Sequence, residues 1–402
     1  MPTVGILGAG TMGAGIAQDA AAAGWHVLLK DVTEAVVAHS IEGVRSRYAR
    51  LVEKGRLSES EAAAASGRLT PAADFSSLRP CVLVVEAVVE NFEVKVTLLK
   101  QAAEATNDTT ILASNTSSLS IRKIADAVEA RARVVGMHFF NPVPLMPLVE
   151  CIAGDHSSKP AQDRIYEIAR EWGKTPVRCA DTPGFIVNRV ARGYYLEPLR
   201  LLDEGVAGID EIDATLTRLG GFKMGPFALM DLIGIDVNYP VSCSVWEQMG
   251  RPARLTPHPL QAKLFEAGQL GRKTKRGAYS YEHETPMPAL LCDRKSFEMR
   301  EELYNAVRRF CDGATRESGS STEQYIFART LAAIINEAAL AIDDGIATDE
   351  DIDTAMRLGT NYPMGPIAWA RKIGTRTTRA LLEQLNARAT DGRFAPAEWL
   401  RQ

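Results

Sequence analysis

The stretch Val4-Gly5-Ile6-Leu7-Gly8-Ala9-Gly10-Thr11-Met12-Gly13 decides the fold. An apolar run of strand character leads into a glycine turn, and the turn opens an alanine-rich helical run that extends to residue 23. Strand, glycine turn and helix in that order make a Rossmann-type unit. The first glycine permits the tight turn, a pyrophosphate can approach bare backbone at the second, and the third lets helix and strand pack closely. The free N–H groups at the start of the helix then face the phosphates. Six residues of this pattern also occur in ordinary turns, so the context carries the reading. A second apolar stretch, residues 26–30, ends in Asp31, whose carboxylate suits the hydroxyls of a ribose. Gly8, Gly10, Thr11, Met12, Gly13 and Asp31 are therefore the expected dinucleotide contacts. Asp31 would repel a 2′-phosphate and Val32-Thr33-Glu34 offers no arginine to receive one, so NAD is expected rather than NADP.

Outward from this stretch, short apolar runs at 82–85, 110–113, 134–137 and 177–179 alternate with helical stretches, as in a doubly wound sheet. The charged, alanine-rich residues 33–67 lack strand character and read as a helical hairpin. After Asp181-Thr182-Pro183-Gly184 the strand signal stops and long helical patterns begin. Those patterns repeat 140 residues apart: Arg189 and Arg329, Glu197 and Glu337, Asp203 and Asp343, Gly205 and Gly345, and Ile212-Asp213 and Ile352-Asp353 stand in register. The expected architecture is an α/β Rossmann-type domain (1–183) followed by two all-α helical domains related by duplication (184–283 and 323–402). A linker with one helix, at about 294–312, fills 284–322.

The 402 residues suffice for two or three domains, and a net charge of −4 spread along the chain gives no basic face for nucleic acid. Six cysteines lie far apart, without a C-x-x-C pair or neighbouring histidines, and read as reduced thiols with no metal site. The glycine motif begins almost at residue 1 and no apolar run looks long enough to span a membrane, so no targeting segment and no membrane partner are expected; a cytoplasmic protein is the default.

Four further positions stand out: Ser117 in Ser114-Asn115-Thr116-Ser117-Ser118, His138 in His138-Phe139-Phe140-Asn141-Pro142, Glu150 in Pro147-Leu148-Val149-Glu150, and Asn188 in Gly184-Phe185-Ile186-Val187-Asn188-Arg189. With Glu86-Ala87-Val88-Val89-Glu90-Asn91, these motifs give the chain a resemblance to the L-3-hydroxyacyl-CoA dehydrogenases over essentially its whole length. With its second helical copy it is most similar to the dehydrogenase half of multifunctional β-oxidation enzymes, here without a crotonase half.

The resemblance implies NAD-dependent oxidation of 3-hydroxyacyl-CoA, with His138 as general base. Chemistry agrees, because an alcohol losing hydride must also lose its hydroxyl proton, and imidazole titrates in the right range to take it. Taken alone, such a histidine is more often a satisfied core residue. Glu150, beyond a proline-rich turn, can return on a neighbouring strand to orient the ring, or be a solvated strand-end carboxylate. Ser117 and Asn188 carry neutral groups suited to the substrate oxygen, or to helix capping, where Ser118 and Ser120 also compete. The counterpart of Asn188 in the second copy is Ala328, so one active site is expected.

By the same resemblance Glu90, Lys95, Asn115, Asn141 and Lys273 contact the nicotinamide half of the cofactor. Lys95 has the alternative of a surface pairing with Asn91 or Glu93, and Lys273 that of an ordinary loop lysine. Arg47, Arg50 and Lys54 fall on one helical face that suits the phosphates of coenzyme A or is simply solvated. Related dehydrogenases of gulonate or carnitine tend to read His-Pro-x-Asn-Pro at the catalytic histidine, whereas this chain reads His138-Phe139-Phe140-Asn141-Pro142, which favours a CoA thioester. A non-catalytic NAD-binding protein is the alternative from another class. The helical duplication is expected to give a monomer, or else a homodimer.

Overall fold

Strand β1 (Thr3–Leu7) is buried on both faces, as the middle of a parallel sheet requires. The computed structural model describes residues 1–402 and resolves them into two compact units, Met1–Phe185 and Ile186–Gln402. In the first, β2 (His26–Lys30), β3 (Leu69–Pro71), β4 (Leu83–Glu86), β5 (Ile111–Ser114), β6 (Val134–Phe139), β7 (Leu148–Ala153) and β8 (Thr175–Ala180) complete an eight-stranded sheet. Its order is β3-β2-β1-β4-β5-β6-β7-β8. The first six strands are parallel and in the doubly wound order; β7 returns antiparallel to β6, and β8 runs parallel to β7. The sequence reading gives neither β3, which is three residues long and ends in Pro71 on the sheet edge, nor the bounds of β7.

Helices α1 (Thr11–Ala22), α2 (Glu34–Glu53), α3 (Glu59–Gly67), α4 (Phe92–Ala105), α5 (Ile121–Val128) and α6 (Lys159–Glu171) cover the sheet. The hairpin foreseen at 33–67 is α2 and α3. Thr33 caps the first by accepting from Val36 N–H, and Ser58 with Glu61 closes a capping box on the second.

The second unit contains the repeat. In the first copy α7 (Val187–Val190), α8 (Arg192–Asp203), α9 (Ile209–Gly220), α10 (Pro226–Ile233) and α11 (Ile235–Gln248) are followed by α12 (Pro259–Glu266). After α13 (Glu301–Ala314) the second copy runs α14 (Ser321–Asp343), α15 (Asp349–Thr360), α16 (Pro366–Ile373) and α17 (Thr375–Ala389). The copies and the segment between them fall within one compact unit. Helix α13 lies against α14, α16 and α17 and buries Leu303, Val307 and Phe310, so the one helix expected in that segment is part of the core.

The two copies meet around a pseudo-twofold axis. A Cβ on Gly193 would stand 3.2 Å from the carbonyl carbon of its own counterpart Ala333, and the rings of the counterparts Phe222 and Tyr362 lie 5.0 Å apart. Equivalent residues touch only beside such an axis. Charges cross it reciprocally: Arg189 Nε donates to Glu337 at 2.6 Å and Arg329 Nε to Glu197 at 2.8 Å.

One expectation is corrected here. Helix α14 has 23 residues and is by length and composition long and apolar enough to cross a membrane. Its apolar side chains serve the core instead: 83% of its most apolar window is buried within the protein, and it carries the paired Arg329 and Glu337.

Candidate active site

The three glycines of the turn do different work. Gly8 has φ +103°, and a Cβ there would stand 2.6 Å from the Ala87 carbonyl oxygen. At Gly13 it would stand 1.9 Å from the Gly8 oxygen, so any side chain would push α1 off the strand. At Gly10 nothing lies within 4 Å. That open backbone sits at the start of α1, which has neither a side-chain cap nor an acidic residue in its first turn. Uncapped N–H groups and a partial positive charge thus face open space, which fits a dinucleotide pyrophosphate.

Asp31, at the end of β2, accepts from Ala9 N–H at 2.6 Å and from Val32 N–H at 2.6 Å, and so ties the turn to the second strand. Beside it, Asp31, Thr33, Val37 and Ala72 line a cleft of about 380 Å³. A carboxylate beside such a cleft fits the NAD adenosine and disfavours a 2′-phosphate. Asp31→Ser with Val32→Arg is expected to raise kcat/KM for NADPH relative to NADH, since it removes that repulsion and supplies a cation. An unchanged ratio between the two cofactors would mean that the ribose lies elsewhere.

Strand register assembles the polar centre. His138 on β6 stands directly opposite Glu150 on β7, and its Nδ1 lies 2.7 Å from Glu150 Oε2. On the other side of the ring, Nε2 lies 3.1 Å from Ser117 Oγ. Glu150 is fully buried and His138 nearly so. A carboxylate only accepts, so Nδ1 carries the proton, Ser117 donates to Nε2, and the acceptor nitrogen faces the serine. The rings of Phe140 (4.6 Å) and Phe185 (5.8 Å) flank the imidazole and restrict water around it.

A buried ion network carries the Ser117 loop. Lys95, 1% exposed, bonds Glu86 at 2.8 Å and Glu90 at 3.2 Å, and Glu86 also accepts from Ser114 Oγ at 2.6 Å. Glu90 Oε1 in turn accepts from Thr116 Oγ1 (2.5 Å), Ser117 N–H (2.9 Å) and Ser118 N–H (3.0 Å). Burial opposes the Glu90 charge, but Lys95 and the hydroxyls outweigh it and hold the carboxyl below its ordinary pKa. Lys95 is therefore no surface partner of Asn91 or Glu93. Glu86 and Thr116 are members that the sequence reading does not single out; Glu86 ends the wholly buried β4, in register with Ser114 on β5. Asn115 accepts from Phe139 N–H at 2.8 Å and locks β5 to β6 beside the histidine, while Asn141 is exposed. The cap of α5 is Ser120, which accepts from Lys123 N–H, leaving Ser117 to the histidine.

The expected basic face is only partly free. Arg47 is drawn onto α1, where its Nε donates to Gln18 Oε1 at 2.5 Å, while Arg50 and Lys54 remain exposed. Two more expected residues lie in the second unit. Asn188 is on α7, three residues beyond Phe185, with its side chain partly open, and the Lys273 ammonium pairs with Asp236.

Comparison with known proteins gives the family. The model of the 3-hydroxyacyl-CoA dehydrogenase NAD-binding domain matches residues 3–182, and that of the C-terminal domain matches 184–281 and 325–402. The chain is 38% identical to a 3-hydroxyadipyl-CoA dehydrogenase of Escherichia coli K12, with 100% of this chain and 97% of that protein aligned. It is also 38% identical to a 3-hydroxybutyryl-CoA dehydrogenase of Clostridioides difficile, over 69% of this chain and 98% of the relative. The crystal structure of 3-hydroxybutyryl-CoA dehydrogenase from E. coli K12 superposes with a TM-score of 0.89 at 36% identity, covering 100% of this chain and 98% of that one.

Proposed function

The chain belongs to the 3-hydroxyacyl-CoA dehydrogenase family, and from that premise we propose that Ser117, His138, Glu150 and Asn188 carry out the reversible oxidation of (S)-3-hydroxyacyl-CoA to 3-oxoacyl-CoA. The observation that carries this reading is the chain of contacts from Glu150 through the His138 ring to Ser117. NAD supplies the hydride acceptor when bound, and the residues present fit it: the open Gly10 backbone and the α1 N-terminus toward the pyrophosphate, Asp31 toward the ribose. His138 Nε2 removes the hydroxyl proton as the alcohol is oxidised and returns it in the reverse direction. Glu150 holds the ring in the required tautomer and offsets the charge that develops on it. With substrate bound, the Ser117 hydroxyl turns its proton from Nε2 to the substrate oxygen, which leaves Nε2 free to accept the substrate hydroxyl. Asn188, assigned by the family motif alone, supplies a second neutral donor.

Glu90 and Lys95 act on this reaction by fixing the loop that bears Ser117; Asn115, Asn141 and Lys273 are assigned to the nicotinamide side by the family pattern. The exposed Arg50 and Lys54 are the cations available to coenzyme A phosphates, with Arg47 behind them. Six free cysteines suit a reducing compartment such as the cytoplasm.

The relatives are named for a four-carbon acyl group and for a six-carbon acyl group with a second carboxylate. A chain-length series of 3-hydroxyacyl-CoA and 3-oxoacyl-CoA substrates, followed by NADH absorbance in both directions, tests the reading. Turnover of the thioesters without turnover of free hydroxy acids is expected. Equal turnover of free 3-hydroxybutyrate, gulonate or carnitine, or no turnover of any thioester, would overturn it.

A further inference from the structure

The second helical copy is an internal control for what the helical scaffold needs. Arg189 and Glu197 recur as Arg329 and Glu337, each paired across the axis. Asp213 accepts from the N–H groups of Phe227 and Ala228, and Asp353 likewise from Ile367 and Ala368. These pairs maintain the fold in both copies. Another polar cluster exists in the first copy only.

Its centre is Arg192, 4% exposed, one helical turn beyond Asn188. The guanidinium Nε donates to the Asn188 carbonyl oxygen at 2.9 Å, and Nη1 donates to Ser242 Oγ at 2.9 Å and to Asn238 O at 3.3 Å. Asn238 Oδ1 accepts from the buried Gln261 at 2.8 Å, and the Arg192 guanidinium lies 4.9 Å from the centre of the Tyr195 ring. No carboxylate pairs with this cation, so burial dominates its surroundings. A buried charge without a counter-ion is costly and is seldom kept for stability. In the second copy the positions of Asn188, Arg192, Tyr195, Asn238 and Ser242 hold Ala328, Ala332, Ile335, Thr378 and Leu382, and α14 runs unbroken through them. The fold is therefore complete without the cluster.

We propose that Arg192 is a positioning residue, which pins the Asn188 turn to α11 so that the Asn188 amide is held in place for the substrate oxygen. The assignment rests on the role given to Asn188 above. All of its contacts lie within one unit, and the group it holds is the backbone of the residue in question.

The test is a double-mutant cycle in the full-length enzyme. Arg192→Ala, which installs the second-copy residue, is expected to lower kcat about 10- to 100-fold, the scale of a misplaced catalytic group. NADH affinity, read by fluorescence, and the melting temperature should stay close to wild type. Arg192→Lys keeps one donor and should recover part of the loss. Asn188→Ala and the double variant should turn over at the same rate, because Arg192 acts only through Asn188. If Asn188→Ala alone turns over normally, the role of Asn188 fails, and Arg192 with it. If Asn188→Ala is impaired while Arg192→Ala is not, or if the two losses multiply, only the positioning role fails. Should Arg192→Ala not fold, Arg192→Met takes its place under the same criteria; failure of both to fold would show that the scaffold needs Arg192 and would overturn the proposal.

Discussion

Replacing His138 with glutamine is expected to lower kcat at least about 100-fold in both directions while NADH binding stays nearly unchanged, the scale on which positioned acid–base groups act. Glutamine approximates the size of imidazole and its amide can still bond Glu150 or Ser117, but it takes no proton at neutral pH. What is lost is chemistry, not packing. The glycine turn and Asp31 lie on β1, α1 and β2, away from the β6–β7 pair, so cofactor affinity has no reason to fall. The measurement is steady-state turnover of 3-oxoacyl-CoA with NADH, beside a fluorescence titration of NADH. Near-normal turnover would remove His138 from the mechanism. A large loss of NADH affinity would make it a cofactor residue instead.

How legible was this site in the sequence? The histidine and its carboxylate are separated by a proline-rich turn, and the antiparallel return that places them opposite each other is a property of register. Sequence can name both residues and suggest the return; it cannot fix their 2.7 Å contact. The glycine turn was fully readable, because each glycine answers a local steric demand: φ +103° at Gly8, the 1.9 Å approach at Gly13 and open space at Gly10. The Glu86–Lys95–Glu90 network was not, since buried charges look the same in sequence as exposed ones until their partners are known. Arg47 shows the reverse error. Helical spacing put it on one face with Arg50 and Lys54, but a glutamine on the neighbouring helix draws it inward.

Deleting everything after Thr322 is expected to cost the enzyme both its monodispersity and its activity. Residues 323–402 supply the other half of a pseudo-symmetric core, with α14 lying against α8 and α9 across the axis. Without them the first copy would expose apolar surface of α8 and α9, and would leave Arg189 without its carboxylates and Glu197 with Arg200 alone. Glu197 shows how strongly the pair is coupled: burial raises its pKa, yet Arg329, Arg200 and Arg393 hold the carboxyl down at about 2. A carboxylate depressed in the folded state contributes stability that is full above the ordinary carboxylate range and is lost progressively as pH falls from that range through the low value. Removing one partner of a buried pair costs about 3–5 kcal/mol, so Arg329→Met in the full chain should already lower the denaturation midpoint, most clearly at neutral pH. Ala328→Asn at the neighbouring position should change activity little, because the second copy has no glycine-rich cofactor turn attached to it. The truncated chain has two routes to recover the lost burial, aggregation or pairing with a second truncated chain through the uncovered face, and size-exclusion chromatography separates them. A truncated protein that is monomeric, soluble and fully active would show that the first copy does not need the second to cover its apolar faces.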